Sequence, residues 1–159
     1  MYQNYIMKKI GLFTVIFSIC LLLQAQIVER DGKYYDNSGN LYSGEFKEFY
    51  DNGNLKTQMN LENGLIIGEV YIYHENGIKY EKREYKNGVF HGTWITWNEN
   101  AIKTAVANYK DGVKHGDWII WDDNGVKRYQ MHYTDGKRTG EWISWDENGK
   151  LSSSTNFSE

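Results

Sequence analysis

The stretch GDWIIWDDNGVKRYQMHYTDGKRT, residues 116–139, decides the fold of this 159-residue chain. It contains two turn-forming pairs, Asn124-Gly125 and Asp135-Gly136, and the residues between them alternate between apolar and polar. Asn or Asp followed by Gly tolerates the positive φ angles of a two-residue type I′ turn better than other pairs. The stretch is therefore predicted to form two short antiparallel strands with a tight turn after each.

The same pattern recurs every 24 residues, which is the mark of a repeat architecture. A glycine opens each of five units, which span residues 44–67, 68–91, 92–115, 116–139 and 140–159. Numbered from that glycine, position 3 holds Phe46, Val70, Trp94, Trp118 and Trp142. Position 6 holds Phe49, Tyr73, Trp97, Trp121 and Trp145, and position 18 holds Leu61, Tyr85, Tyr109, Tyr133 and Phe157.

Both turns of each unit are predicted to be type I′. The glycines of the first turn are Gly53, Gly77, Gly125 and Gly149, and those of the second are Gly64, Gly88, Gly112 and Gly136. The third unit has Asn100-Ala101 at the first turn. Because Ala at positive φ carries a steric cost that Gly avoids, this turn is expected to be strained or of another type, and its hairpin to be the weakest.

The predicted fold class is all-β, with tandem 24-residue β-hairpin repeats forming one elongated, twisted antiparallel meander sheet. Two-residue turns would pair position 3 with 16 and 5 with 14 within a hairpin, and position 14 with position 3 of the next unit. Positions 3, 5, 14, 16 and 18 would then share one face. Residues 26–43 show turn and aromatic signals at a shorter spacing, which predicts an N-terminal cap.

A leader precedes the repeats. Met7–Ala25 reads MKKIGLFTVIFSICLLLQA, with Lys8 and Lys9 before an apolar run and a small residue at its end, which is the pattern of a cleaved signal peptide over residues 1–25 with Met7 as the true start. A retained anchor and a lipid-modified Cys20 are the alternatives; the run is shorter than the roughly 20 residues of a spanning helix, and Ile19 is not the small residue that lipid attachment requires. The mature chain is thus expected to lack a transmembrane span and to be exported to the periplasm, the cell surface or the medium.

The charge and composition of the chain argue against two classes of partner, nucleic acids and anionic lipids. Without the leader the chain keeps 16 basic and 21 acidic side chains, a formal charge of −5, and no cysteine. An acidic chain without a basic stripe is a poor nucleic-acid binder, and no polybasic segment is present for anionic lipid.

No catalytic constellation is visible. His91 and His115 share position 24, but equivalent positions lie two strands, or about 9.5 Å, apart, and no cysteine or local His pair completes a metal site. Acidic residues recur in every unit, as expected for a solvated sheet, whereas an active site is a single constellation. The sequence therefore predicts no catalytic residue, no metal and no cofactor, hence no enzyme.

The tryptophans are the candidate binding residues. Trp94, Trp118 and Trp142 form a first column, and Trp97, Trp121 and Trp145 form a second on the opposite face, which Tyr73 extends. Cross-strand packing explains one such column. An exposed column would suit protein partners, where Trp and Tyr dominate binding hot spots, or sugar rings and quaternary ammonium groups of the cell envelope.

A unit of the form G-x-W-x-x-W-x-x-N-G followed by an aromatic strand and x-D-G-x-x-x-G resembles the MORN-repeat variant family, which includes bacterial proteins labelled YwqK-family antitoxins. The resemblance covers residues 31–157. It implies a non-enzymatic interaction module with a protein partner, antitoxin-like where that partner is a toxin, and it supplies no catalytic residues. The alternative function is a cell-envelope or carbohydrate-binding module that uses the Trp columns.

Overall fold

The computed structural model describes residues 27–158, so the predicted leader lies outside the described residues. Thirteen strands and no helix occur in the described part. They are β1 (Val28–Arg30), β2 (Lys33–Tyr35), β3 (Gly44–Phe49), β4 (Leu55–Glu62), β5 (Leu65–Tyr73), β6 (Lys79–Lys86), β7 (Val89–Phe90), β8 (Gly92–Trp97), β9 (Lys103–Lys110), β10 (Val113–Trp121), β11 (Lys127–Thr134), β12 (Lys137–Trp145) and β13 (Leu151–Phe157).

Eleven of these strands form a single antiparallel sheet, whose order follows the sequence from β3 to β13 with the short β7 paired to β6. The sequence order of neighbours confirms the predicted meander of tandem hairpins. A separate two-stranded sheet, β1–β2, precedes it. Tyr34 and Tyr42, from this N-terminal segment, pack against a buried cluster of Met59, Leu61 and Val70.

The two turns of each unit differ in type. At the second turn both central residues have positive φ, as at Asn63 (48°) and Gly64 (74°), which confirms type I′. At the first turn the prediction of type I′ was wrong. Only the glycine has positive φ there, and in the fourth unit Asp122 N–H donates to Val126 O while Gly125 N–H donates to Asp122 O, which closes a three-residue loop. This is a type I turn followed by a glycine bulge.

All five units form this longer loop, and in the last three a side chain at position 7 stabilises it. The Oδ1 atom of Asp122 accepts the backbone N–H groups of Asn124 and Val126, both at 3.0 Å. Asp146 makes the equivalent pair of bonds in the fifth unit, and Asn98 does so in the third. Such side-chain bonds stabilise a local turn that competes with a tighter one.

The third unit keeps the common loop despite its alanine. Ala101 adopts φ of 59°, and its N–H donates to Asn98 O at 2.9 Å, as the glycine does in the other units. Of the two expected outcomes, the structure shows the strained one, since an L-residue in this region meets a steric cost.

The strand register confirms part of the predicted pairing. Within the fourth hairpin, Trp118 pairs with Met131 and Ile120 with Tyr129, as expected for positions 3–16 and 5–14. The pairing of position 14 with position 3 of the next unit was wrong, because Tyr129 pairs with Ser144, at position 5. Gly140, with φ of 65°, sits in a bulge that inserts two residues into β12. Two extra residues preserve the alternation, so the five positions still share one face, called here the first face.

Candidate binding surfaces

The first Trp column is built into the sheet. On the first face its indoles alternate with the rings of position 18 in neighbouring strands. The ring centre of Trp118 lies 5.2 Å from that of Tyr109 and 5.4 Å from that of Tyr133, and the ring centre of Trp142 lies 5.1 Å from that of Tyr133. Burial raises the pKa of the Tyr109 phenol, because a phenolate is disfavoured there. Edge-to-face rings at these distances stabilise one another, so this column is structural.

Hydrogen bonds fix two of the three indoles. Trp118 Nε1 donates to Asn108 O at 2.9 Å, and Trp142 Nε1 donates to His132 O at 3.0 Å. The equivalent Nε1 of Trp94 is buried without a partner in the described part of the chain. Its expected acceptor, the carbonyl of Glu84, instead accepts the N–H of His91 at 2.9 Å.

Side chains from position 23 of the preceding unit lie over the first column. Phe90 stacks on Trp94 at 5.2 Å, the Lys114 ammonium lies 4.2 Å from the ring centre of Trp118, and the Arg138 guanidinium lies 4.7 Å from that of Trp142. No described carboxylate lies within 4.0 Å of either cation, so both remain available to an anionic group of a partner.

The second Trp column lies on the second face, opposite to the first. The lysine at position 12 of the preceding unit approaches each ring. The distance from the lysine Nζ to the ring centre is 5.8 Å for Lys79 and Trp97, 6.0 Å for Lys103 and Trp121, and 5.2 Å for Lys127 and Trp145. These are cation–π contacts of about 0.5–1 kcal/mol at exposed sites. Tyr73 continues the column, and its carbonyl accepts the Tyr50 hydroxyl at 2.7 Å.

An open groove of about 340 Å³ lies at the last two units. We call it the aromatic groove, and its lining comprises Tyr129, Met131, Trp142, Ile143, Ser144, Ser153, Thr155 and Phe157. Tyr129 is 49% exposed and the neighbouring Ile120 is 37% exposed. On the same face of the first two units, Met59, Leu61 and Val70 are at most 4% exposed. At position 14 the first face is therefore buried in the second unit, where Glu81 is 5% exposed, and open in the fourth, at Tyr129.

The sequence analysis missed Tyr129 and Met131 as candidate binding residues. The signal was present at positions 14 and 16, which hold an ion pair, Glu81 and Arg83, in the second unit and a Tyr and a Met in the fourth. Arg83 Nε donates to the buried Glu81 carboxylate at 2.6 Å. Charged residues that pair within the face leave no apolar surface for a partner, whereas a Tyr and a Met do.

His91 and His115 do not contact each other, and each contacts an aspartate of the next unit. His91 Nδ1 lies 3.2 Å from the Asp111 carboxylate, and His115 Nδ1 lies 3.3 Å from that of Asp135. Each histidine thus contacts the type I′ turn of the next unit. Residues 27–158 contain no group of three or more His, Cys, Asp or Glu side chains arranged to hold a metal ion. Within that range no helix is long and apolar enough to cross a membrane.

The structure thus defines a tandem β-hairpin repeat protein whose aromatic columns lie on both faces of one sheet. A family model described as the MORN repeat variant matches residues 42–63, 67–87, 114–135 and 138–159, and the chain belongs to this family. Such repeats are in general binding modules for proteins or membranes. The matches leave out residues 88–113, which include most of the third unit with Ala101 and the unpartnered Trp94 indole. No curated protein matches the chain.

Proposed function

We propose that this protein is an exported, non-enzymatic binding module that holds a protein partner in the aromatic groove. The observation that carries the proposal is the open part of the first face in the fourth unit, where Tyr129 and Ile120 are exposed although position 14 of the same face is buried in the second unit. Tyr, Trp and Met are enriched at the centres of protein interfaces.

Three properties of the groove favour a polypeptide. Its floor is apolar, and the hydroxyl groups of Ser144 and Ser153, which lie 2.7 Å apart, supply donors and acceptors at its edge. Lys114 and Arg138 lie over the neighbouring indoles without a carboxylate partner among the described residues. An extended segment with apolar side chains and a carboxylate would satisfy all three features.

Export is proposed from the leader sequence Met7–Ala25. Expression of the full chain followed by intact-mass measurement tests it. Cleavage after Ala25 supports export, and an uncleaved chain in the cytoplasm refutes it. An antitoxin-like role is the special case in which the partner is a toxin that acts in the same compartment.

The binding proposal is tested with a matched pair of tyrosines. Tyr129 is 49% exposed on the first face, and Tyr80 is 42% exposed at position 13 of the second unit, on the second face. The wild-type protein and the variants Tyr129→Ser and Tyr80→Ser are used as bait for soluble envelope proteins. A stoichiometric protein complex that is lost with Tyr129→Ser and kept with Tyr80→Ser supports the proposal, and a complex that depends on Tyr80 refutes the assigned site.

The alternative is an envelope glycan bound by the second Trp column. The regular spacing of Trp97, Trp121 and Trp145 along one face favours it, since sugar rings and quaternary ammonium groups bind to aromatic faces. Under this alternative, the protein is retained on insoluble wall material and released by free sugar or choline. Trp121→Ala would abolish that retention, whereas Tyr129→Ser would leave it unchanged.

A further inference from the structure

The first face of the last three units carries positive charge without a carboxylate. Position 23 pairs with position 18 and so shares its face. At positions 3, 5, 14, 16, 18 and 23 of these units, the described strands hold two cations, Lys114 and Arg138, and no Asp or Glu. The same face of the second unit holds Glu81, and the second face of the last units holds Asp117 and Glu141. In a chain whose formal charge is −3, this part of the first face therefore complements an anionic partner.

The two cations are one repeat apart, which sets the distance between them. Each pairs with the position-18 tyrosine of its own unit, so two strand spacings, or about 9.5 Å, separate Lys114 from Arg138 along the sheet. Their charged groups lie 4.2 and 4.7 Å from the ring centres of Trp118 and Trp142. The face thus offers two cations about 9.5 Å apart on a line that crosses the strands.

A polyproline II segment matches this spacing. It has three residues per turn and rises about 3.1 Å per residue, so every third side chain lies on the same side at intervals of about 9.3 Å. In a β-strand the side chains of one side recur every two residues, about 6.8 Å apart, which does not match one repeat. An α-helix returns to the same side after seven residues, or about 10.5 Å, which exceeds the repeat by about 1 Å.

The surface beside the cations suits the same conformation. Ile120 and Tyr129 are exposed there and can pack against proline rings, as the aromatic residues of other grooves do for proline-rich segments. The hydroxyl groups of Ser144 and Ser153 lie 2.7 Å apart, so one hydrogen bond between them leaves one hydroxyl free to donate. A polyproline II backbone has no internal hydrogen bonds, and its carbonyl groups can accept this donor, whereas a helix has already paired its own.

We propose that the segment held on the first face is acidic and proline-rich, adopts the polyproline II conformation and lies across the strands of the last three units. Two Glu or Asp side chains three residues apart bind Lys114 and Arg138, and the residues between them pack on Ile120 and Tyr129. This inference rests on the proposed function and names the chemical class of its partner.

The first test uses a fluorescently labelled peptide of four Pro-Pro-Glu repeats, titrated with the full chain and followed by fluorescence anisotropy. Binding is expected to weaken as salt is added, because exposed charges are screened. The spacing controls are a peptide of the same composition with its glutamates contiguous and a helical peptide with glutamates seven residues apart. Both should bind several-fold more weakly than the Pro-Pro-Glu peptide. Equal or tighter binding of either control, or of a sulfated polysaccharide, would overturn the proposal.

The second test reverses charges on the protein. Lys114→Glu and Arg138→Glu should each weaken binding of the Pro-Pro-Glu peptide several-fold. Lys137→Glu is the matched control, because Lys137 is exposed next to Arg138 but lies at position 22, on the second face, and it should weaken binding much less. The variant with both position-23 substitutions should bind a Pro-Pro-Lys peptide more tightly than Pro-Pro-Glu, a gain that loss of folding cannot produce. A double variant without this preference, or a Lys137→Glu effect as large as that of Arg138→Glu, would contradict the assignment.

The Tyr129→Ser variant separates this inference from the proposed function. It should also weaken binding of the Pro-Pro-Glu peptide, because Tyr129 packs against the residues between the glutamates. A wild-type protein that binds no Pro-Pro-Glu peptide, yet forms a Tyr129-dependent complex with an envelope protein, overturns the acidic polyproline II segment and leaves the proposed function intact. Loss of both the peptide and the Tyr129-dependent complex overturns both.

Discussion

Ala101 offers a direct measurement of backbone strain in a repeat. Its φ of 59° lies in the left-handed region, where an L-residue is disfavoured by about 1–2 kcal/mol relative to its usual conformation. Replacing it with glycine removes this cost. The substitution also loosens the unfolded chain, which costs about 0.4–1 kcal/mol. Ala101→Gly is therefore expected to stabilise the protein by about 0.5–1 kcal/mol, the difference of the two effects.

Gly125 is the matched control, because it occupies the same turn position with φ of 81° in the next unit. A methyl group there would meet Ile102 Cγ2 at 3.5 Å, an ordinary van der Waals contact, so Gly125→Ala introduces backbone strain without a clash. It should destabilise the protein by about the amount that Ala101→Gly gains. The two variants thus form a pair of opposite sign at equivalent sites.

Urea denaturation followed by tryptophan fluorescence gives the global change, and amide hydrogen exchange at residues 98–102 and 122–126 gives the local one. Both are needed, because a repeat array can open unit by unit. If Ala101→Gly and Gly125→Ala both destabilise the protein, the argument from backbone strain at Ala101 fails. The methyl group of Ala101, in a pocket with Ile78 and Trp97, would then contribute more than the strain removes.

Three further predictions follow from side-chain contacts. Trp118→Phe loses a hydrogen bond and should destabilise the protein by about 1 kcal/mol more than Trp94→Phe, whose Nε1 has no described partner; thermal unfolding compares them. Glu81→Ala leaves the partly buried Arg83 without its carboxylate and should cost about 1–3 kcal/mol, whereas replacement of both residues by apolar ones should cost less, as a double-mutant cycle would show. Glu69 has a lowered pKa, because its carboxylate accepts hydrogen bonds from a lysine and a tyrosine; its stabilisation is present above the ordinary carboxyl pKa and lost as the pH falls through the lowered one. The difference in Tm between wild type and Glu69→Gln should therefore shrink on going from neutral to acidic pH.

The repeat could be predicted from sequence because its units follow one another at a constant spacing of 24 residues. A 24-residue period with glycine and aromatic residues in fixed positions specifies hairpins, their order and the face of each side chain. The prediction failed at the first turn of each unit. The first turn is a three-residue loop in every unit, whether position 7 holds an Asp, an Asn, a Tyr or a His, and the dipeptide Asn-Gly alone does not distinguish the two turn types.

The candidate site was harder to predict, since exposure depends on what covers a face. The first column looked equivalent in three units, yet its indoles are packed between Tyr rings and side chains of position 23. Tyr129 and Met131 became candidates only when the structure showed an open groove beside Trp142. The alternation of a strand gives the face of a residue, and neighbouring units decide whether that face is free.

The third unit combines several features that weaken its junction with the second unit. β6 pairs with β7 and β8 at four positions in total, whereas each of the other junctions between units has five residue pairs. The carbonyl that would accept the Trp94 indole is used by another donor, and Ala101 holds a strained turn in the next hairpin. A shorter ladder, an unpartnered indole and backbone strain each lower local stability. Because the family model also passes over this unit, its departure from the repeat pattern in sequence coincides with the weakest junction of the sheet, and the array should open there first.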